Sequence, residues 1–196
     1  MFTELIKKLR EQTGAGIIDC QKALKESNDD LAGAIDYLRK KGISKAAAKS
    51  ERVANQGIIE SYIHLGGKIG VLLELNCETD FVARTDEFKK LAHDIAMHIA
   101  AMSPLCVARE NLDQKLIEKE KEIYKEQLRQ EKKPDNMIEK IAEGKIEKYY
   151  AQVCLLEQPY IKDQTKNIKG IITDAVAKIG ENIQVKRFVR FMLGEK

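Results

Sequence analysis

The chain has 196 residues, 43% of them hydrophobic, and its 34 Lys and Arg against 31 Asp and Glu leave a formal charge of only +3. That balance excludes a disordered polyelectrolyte and gives no electrostatic case for nucleic acid, and no apolar run nears the roughly 20 residues a bilayer span requires. Cys20, Cys77, Cys106 and Cys154 form no CxxC pair, and nothing near Met1 reads as a leader, so reduced thiols and a cytoplasmic location are expected.

The first forty or so residues read as three short helices. In the first, Thr3 is the expected N-cap, Leu5, Ile6 and Leu9 share a face, and Gly14 is the stop. The second runs from about Ile17 to Glu26, with Ile17, Ala23 and Leu24 near one stripe, and ends at Ser27-Asn28. The third opens with Asp29 and Asp30, carries Leu31, Ile35 and Leu38, and closes with Arg39, Lys40 and Lys41 before Gly42, a charge order that suits the helix dipole. So small a bundle buries little core. The Ala-rich, basic stretch from Lys45 to Gln56 reads as a helical or extended connector, which places a helical domain with its linker at residues 1–54 and a core domain at 55–196.

The core opens with two runs rich in β-branched and aliphatic residues, Ile58 to Leu65 and Lys68 to Cys77. Gly66-Gly67 between them predicts a tight hairpin turn of positive φ, and Val71, Leu73, Leu75 and Cys77 alternate onto one face. Thr85 then caps a helix with Phe88, Leu91, Ile95, Ile99 and Met102 as its buried stripe, ended by Ser103-Pro104. A Lys- and Glu-rich helix follows over Asp113 to Lys133 on a narrow seam of Leu116, Ile117, Ile123, Tyr124 and Leu128. Pro134 breaks it, and Asn136 to Gln152 returns as a second helix bent or interrupted near Gly144, which makes a helical hairpin. Val153 to Leu156 is a short strand candidate. A helix with Ile168, Ile171, Ile172, Ala175 and Ile179 inward stops at Gly180, and a last strand spans about Ile183 to Leu193 with a β-bulge between Val185 and Phe188. Strands separated by helices, with antiparallel pairing, give the class α+β.

Signals of catalysis are scarce. There is no phosphate loop, GxGxxG, GxSxG or HExxH, and His93 and His98, five residues apart, do not share a helix face; His64 stands alone. No catalytic residue, cofactor or metal is expected. Two other segments stand out. Leu9-Arg10-Glu11-Gln12-Thr13-Gly14-Ala15-Gly16 with Ile17-Ile18 reads either as a turn with half-buried isoleucines or as a contact surface. In Glu74-Leu75-Asn76-Cys77-Glu78-Thr79-Asp80-Phe81-Val82-Ala83-Arg84 a strand gives way to a helix, and Phe81 and Val82 are either core or displayed; a displayed Phe is the rigid type of side chain that carries an interface.

These two segments resemble the signature motifs of the translation elongation factor Ts family, in the same order and separation. KAAAKSERVANQG, LLEQPYIKD and IGENIQVKRFVRF extend the similarity over nearly the whole chain. The resemblance implies a three-helix domain similar to ubiquitin-associated domains and an α+β core with a small antiparallel sheet and a helical hairpin. It also implies a partner, elongation factor Tu, met both GDP-bound and nucleotide-free, whose GDP release the chain promotes. Carried over, Asp80, Phe81, Val82 and Ala83 are the contacts that disturb the partner's Mg²⁺ site, and Arg10, Ile17 and Ile18 are contacts of the N-terminal segment. Longer members continue past FMLGEK into a helical module, and short members act as homodimers, so a homodimer is expected, with the seams near Ile123 and Tyr124 or the last strand as its surface. Neither a membrane nor direct nucleic acid is expected as a partner. A rival reading takes the interleaved Lys186-Arg187-Phe188-Val189-Arg190-Phe191 as an RNA-binding strand instead of a strand with one solvated face.

Overall fold

A computed structural model describes residues 2–195, and its class is α+β. The chain divides into two compact units: residues up to Ile58 with Leu75–Leu91 and Gly170–Gln184, and Ile59–Glu74 with Ala92–Lys169 and the residues from Val185 on.

In the first unit, α1 (Phe2–Thr13), α2 (Ile17–Glu26) and α3 (Leu31–Ala47) close on a core of Ile6, Leu9, Cys20, Ala23, Leu24 and Ala34. On α1 and α2 these positions fall three or four residues apart, which brings them onto one stripe. Three expectations for this bundle are corrected. α1 already includes Thr3, which therefore lies within its first turn and does not cap it. Ile17 is 51% exposed although Cys20 and Leu24, three and seven residues on, are buried: it is the first residue of α2, at the open end of that stripe. α3 does not stop at Gly42 but continues through it into the good helix formers Ala46 and Ala47. The reason for that glycine is space: a Cβ there would lie 3.2 Å from the Cβ of Ala177. Asp30 caps α3 by accepting from the amides of Ala32 and Gly33. Lys41 and Lys45 of α3 reach Asp19 of α2 at 2.7 and 2.8 Å, and these two partners, Lys41 first, hold the Asp19 carboxyl below its usual range.

The larger sheet takes the order β1 (Gln56–Ile63), β2 (Ile69–Cys77), β5 (Gln184–Met192). Val71, Leu73, Leu75 and Cys77 are all buried on one face of β2, as the alternation predicts. The hairpin turn is longer than the expected two residues. The Gly67 amide donates to the His64 carbonyl, so Leu65 and Gly66 are the central pair and Gly66, at φ +88°, takes the position only glycine occupies easily. Along β5 the burial passes from Val185 to Phe188 and Arg190, a shift of phase.

α5 (Asp86–Met102) follows Thr85, whose hydroxyl accepts from the Phe88 amide. Phe88, Ile95 and Ile99 are fully buried, whereas Leu91 is half-buried and Met102 exposed. Ala92, Ala96 and His98 complete the buried face, since the stripe drifts round a helix of this length.

In the second unit, α6 (Gln114–Gln130) and α7 (Asp135–Val153) form the helical hairpin around Leu128, Ile138 and Ala142. Lys121 and Lys125 both bridge to Glu139 across it. α7 runs unbroken through Gly144, where its hydrogen-bond ladder outweighs the weak propensity of one glycine. Ile123 is part-exposed. No strand forms at Val153 to Leu156: Val153 ends α7, Cys154 makes an isolated bridge with Cys106, and Leu155–Glu157 coil into a 3₁₀ turn. The strands that the sequence left unread are β3 (Pro159–Tyr160) and β4 (Asp163–Asn167), paired antiparallel with Pro159 opposite Asn167. α8 (Ile168–Ile179) buries Ile168, Ile172 and Val176, with Ile171, Ala175 and Ile179 at the margin of that stripe.

Four buried cysteines are free thiols, and burial pushes Cys154 up to about 12. Among the described residues, no helix is long and apolar enough to cross a membrane.

Candidate functional site

The segment after β2 builds a short helix, α4 (Asp80–Ala83), whose purpose is visible in what it buries and what it does not. Thr79 is extended and caps it, its hydroxyl accepting from the Val82 amide at 3.4 Å. The amides of Ala83, Arg84 and Thr85 close the turn on the carbonyls of Thr79, Asp80 and Val82, and the Thr85 hydroxyl donates to Val82 O. Arg84 pairs with Asp80 at 2.7 Å, one helical turn apart.

This framework leaves Phe81 78% exposed. Of the two readings open from sequence, the displayed one holds. Asp80 and Val82 are half-buried beside it and Ala83 is buried, so the turn is seated by its alanine and presents its phenylalanine. A large rigid aromatic held in water by a hydrogen-bonded turn gains nothing for the chain's own stability.

The other segment singled out from sequence lies in the same compact unit. Arg10 is exposed on α1, and Ile17 and Ile18 open α2 at 51% and 80% exposure. Two adjacent isoleucines at a helix start, both turned to solvent, form a second exposed apolar patch.

Two groups that the sequence did not mark hold the first segment in place. The Glu181 carboxylate accepts from the Glu78 and Thr79 amides at 3.1 and 3.0 Å and from the Thr79 hydroxyl at 2.7 Å. In return Glu78 accepts from the Asn182 amide at 2.7 Å. Over a hundred residues separate these partners, so no local pattern links them; the one available signal is a polar Glu-Asn pair directly after a helix stop.

Among known sequences, the family model described as elongation factor TS matches residues 2–195. The chain belongs to the elongation factor Ts family. Relatives that carry the name elongation factor Ts include those of Fervidobacterium nodosum, 60% identical over 98% of both chains, and of Thermotoga petrophila, 58% identical over 98% of this chain and 96% of its own. The one from Carboxydothermus hydrogenoformans is 55% identical over 98% of this chain and 89% of its own. For a member of the elongation factor Ts family, two displayed apolar patches are the features to be explained.

The remaining candidates are otherwise engaged. His98 is buried: the Ile161 amide donates to its Nδ1, so Nε2 carries the proton and donates to Gln158 at 3.0 Å. Burial holds His98 below its ordinary value. His93 bonds Glu60 at 2.9 Å, and Tyr62 stacks edge-on to it. Within the basic strand, Arg187 pairs with Glu74 at 2.7 Å, and Arg190 bonds the Ala100 carbonyl and Glu195, which leaves little free charge for an RNA backbone.

Proposed function

We propose that this chain is the guanine nucleotide exchange factor of elongation factor Tu, working in the cytoplasm during peptide elongation. The observation that carries the mechanism is Phe81, 78% exposed on a turn closed by the amides of Val82, Ala83, Arg84 and Thr85. Asp80, Phe81 and Val82 present the contact and Ala83 seats it; Arg10, Ile17 and Ile18 make the second contact. Residues 1–54 and 55–196 are the corresponding functional domains.

A GTPase of this kind holds GDP through backbone amides, a lysine and a bridging Mg²⁺. An aromatic wedge entering between its helices favours the arrangement in which the Mg²⁺ ligands are displaced. The factor binds the nucleotide-free state more tightly than the GDP-bound one, and by reciprocity GDP or GTP weakens the factor. Nothing is bonded or cleaved by this chain, so it is not an enzyme, and it needs no cofactor.

Magnitudes require both contacts. An acceleration of about 10⁴ calls for roughly 5.5 kcal/mol of differential binding. Burying one phenylalanine contributes about 1.5–3 kcal/mol. The rest falls to Ile17, Ile18 and the surfaces round them.

The chain acts as a homodimer in this reading. Its support is the outer face of the β1-β2-β5 sheet, where Ile59, Ile63, Leu72, Val189 and Phe191 are exposed together around the Arg187–Glu74 pair. A flat apolar sheet face of this kind is covered in soluble proteins by a second layer. The seam near Ile123 offers far less.

The test of the function is direct: elongation factor Tu loaded with fluorescent GDP is mixed with excess unlabelled GDP and the chain. Release accelerated in proportion to the chain supports the reading, and release at the intrinsic rate refutes it.

A further inference from the structure

We propose that Glu181 is a positioning residue for nucleotide exchange: its carboxylate fixes the turn that carries Phe81, and Asn182 ties that turn to the connector of the helical segment. The inference rests on the reading of Phe81 as the partner contact.

The geometry is specific. Glu78 and Thr79 stand between the end of β2 and the start of α4, where backbone amides have neither a ladder nor a helix partner. Both donate to the same oxygen of Glu181, at 3.1 and 3.0 Å, and the Thr79 hydroxyl donates to the other at 2.7 Å. Three donors converge on one carboxylate, an arrangement that a neutral side chain cannot copy. The link is reciprocal, since Glu78 accepts from the Asn182 amide.

Asn182 is buried and turns the other way. Its side-chain amide donates to the Arg52 carbonyl at 2.7 Å and to the Ser50 carbonyl at 3.3 Å. Lys49 donates to the Gly180 carbonyl, and Lys178 pairs with Glu87 in the first turn of α5 at 2.6 Å. Residues 177–182 therefore touch α3 at Gly42, the connector, the Phe81 turn and the start of α5, all within one compact unit. This stretch fixes the separation between the two exposed contacts.

A positioning role follows from how Phe81 is held. Its ring, 78% exposed, has almost no packing of its own, so its direction is inherited from the backbone on either side. Without the carboxylate the turn spends less time in the docking shape, and the apparent affinity falls by the fraction lost. Once docked, the wedge acts as before.

The experiment measures release of fluorescent GDP from elongation factor Tu against concentration of the full chain, for the wild type, E181Q, F81A and the double variant. For E181Q the half-saturating concentration should rise about tenfold, the scale of one charge-assisted hydrogen bond, with the maximal rate within about twofold of wild type. In the F81A background E181Q should add less than about twofold, because it acts through the ring. Thermal unfolding checks that the fold is intact; should E181Q fail to fold, E181D keeps the charge but draws the carboxylate back from its three donors and should shift half-saturation in the same direction. Unchanged half-saturation in E181Q beside an impaired F81A overturns the positioning role. Full additivity in the double variant does the same, since it marks a general loss of structure. If F81A itself leaves release untouched, the wedge reading fails, and this inference with it.

Discussion

Two of the regions that expose apolar side chains do so in opposite ways. The Phe81 turn shows one aromatic ring on a four-residue helix whose closing amides and two preceding amides are bonded. The sheet face shows five residues, Ile59, Ile63, Leu72, Val189 and Phe191, spread across three strands with one ion pair among them. A single clamped ring suits insertion into a pocket of a partner that changes shape, because its energy is concentrated where the change occurs. A flat face has no such focus and suits permanent cover by an identical face, since an isologous contact sets the same patch of two copies against each other. Exposure alone does not distinguish these roles; the support behind the side chain does.

Exchange of roles between the two regions would break this comparison, and Phe81→Ala is the substitution with the largest expected effect. Losing about 1.5–3 kcal/mol of partner burial corresponds to a drop of roughly 10- to 150-fold in stimulated GDP release at subsaturating factor. The thermal midpoint should stay within about 1 °C, because the ring contributes nothing to the core. A large fall in the midpoint would mean that the ring packs against the chain itself.

The sheet face should answer in the converse manner. Phe191, 66% exposed, placed as Phe191→Glu sets two carboxylates against each other across a self-paired face and should shift sedimentation from dimer to monomer at micromolar concentration. Stimulated release per chain should change by less than about threefold. A monomeric wild type would remove the dimer, and a release defect as deep as that of Phe81→Ala would erase the distinction between the two regions.

Ile18, at 80% exposure, belongs with the wedge although it stands on another segment. Ile18→Ala should lower release by roughly 3- to 10-fold through apparent affinity, with dimerisation untouched, since it deletes part of one buried aliphatic side chain. Release equal to wild type would restrict the contact to α4.

What could be read in advance follows from whether the signal was local. α2, α8 and the buried face of β2 rest on spacing, caps and stops within a dozen residues, and the sequence shows all of these. α3 reads as ending at Gly42 because a glycine that admits Ala177 and one that ends a helix look alike until the neighbour is known. Val153 to Leu156 carries strand-forming residues, yet the turn bonding of Cys154 to Gln158 outweighs that propensity. β3 and β4 are short and polar, with no alternation to betray them. At the site, the motif drew the eye to Asp80 and Phe81, whereas burial decided which was displayed, and Glu181 became visible only through a contact 102 residues away along the chain.

Acid separates the molecule along a different line, and with the smallest effect. His98 is held neutral by burial, with Nδ1 accepting from Ile161 and Nε2 donating to Gln158. Its folded value lies below the ordinary 6.5, so under that pH the unfolded chain binds more protons and stability falls as the pH drops. Asp19 is displaced downward from 3.8 by Lys41 and Lys45, so its contribution is complete at neutral pH and is lost only as the pH falls below 3.8 through the folded value. The pair is partly exposed, and salt screens it. Thermal midpoints should therefore decline modestly between pH 7 and 5, and the decline should flatten in His98→Gln, which cannot take up the proton. Asp19→Asn should leave that range unchanged and alter only the steeper loss below pH 4, more at low salt than at high. A wild-type slope between pH 7 and 5 that survives in His98→Gln would show that the buried imidazole is not its source.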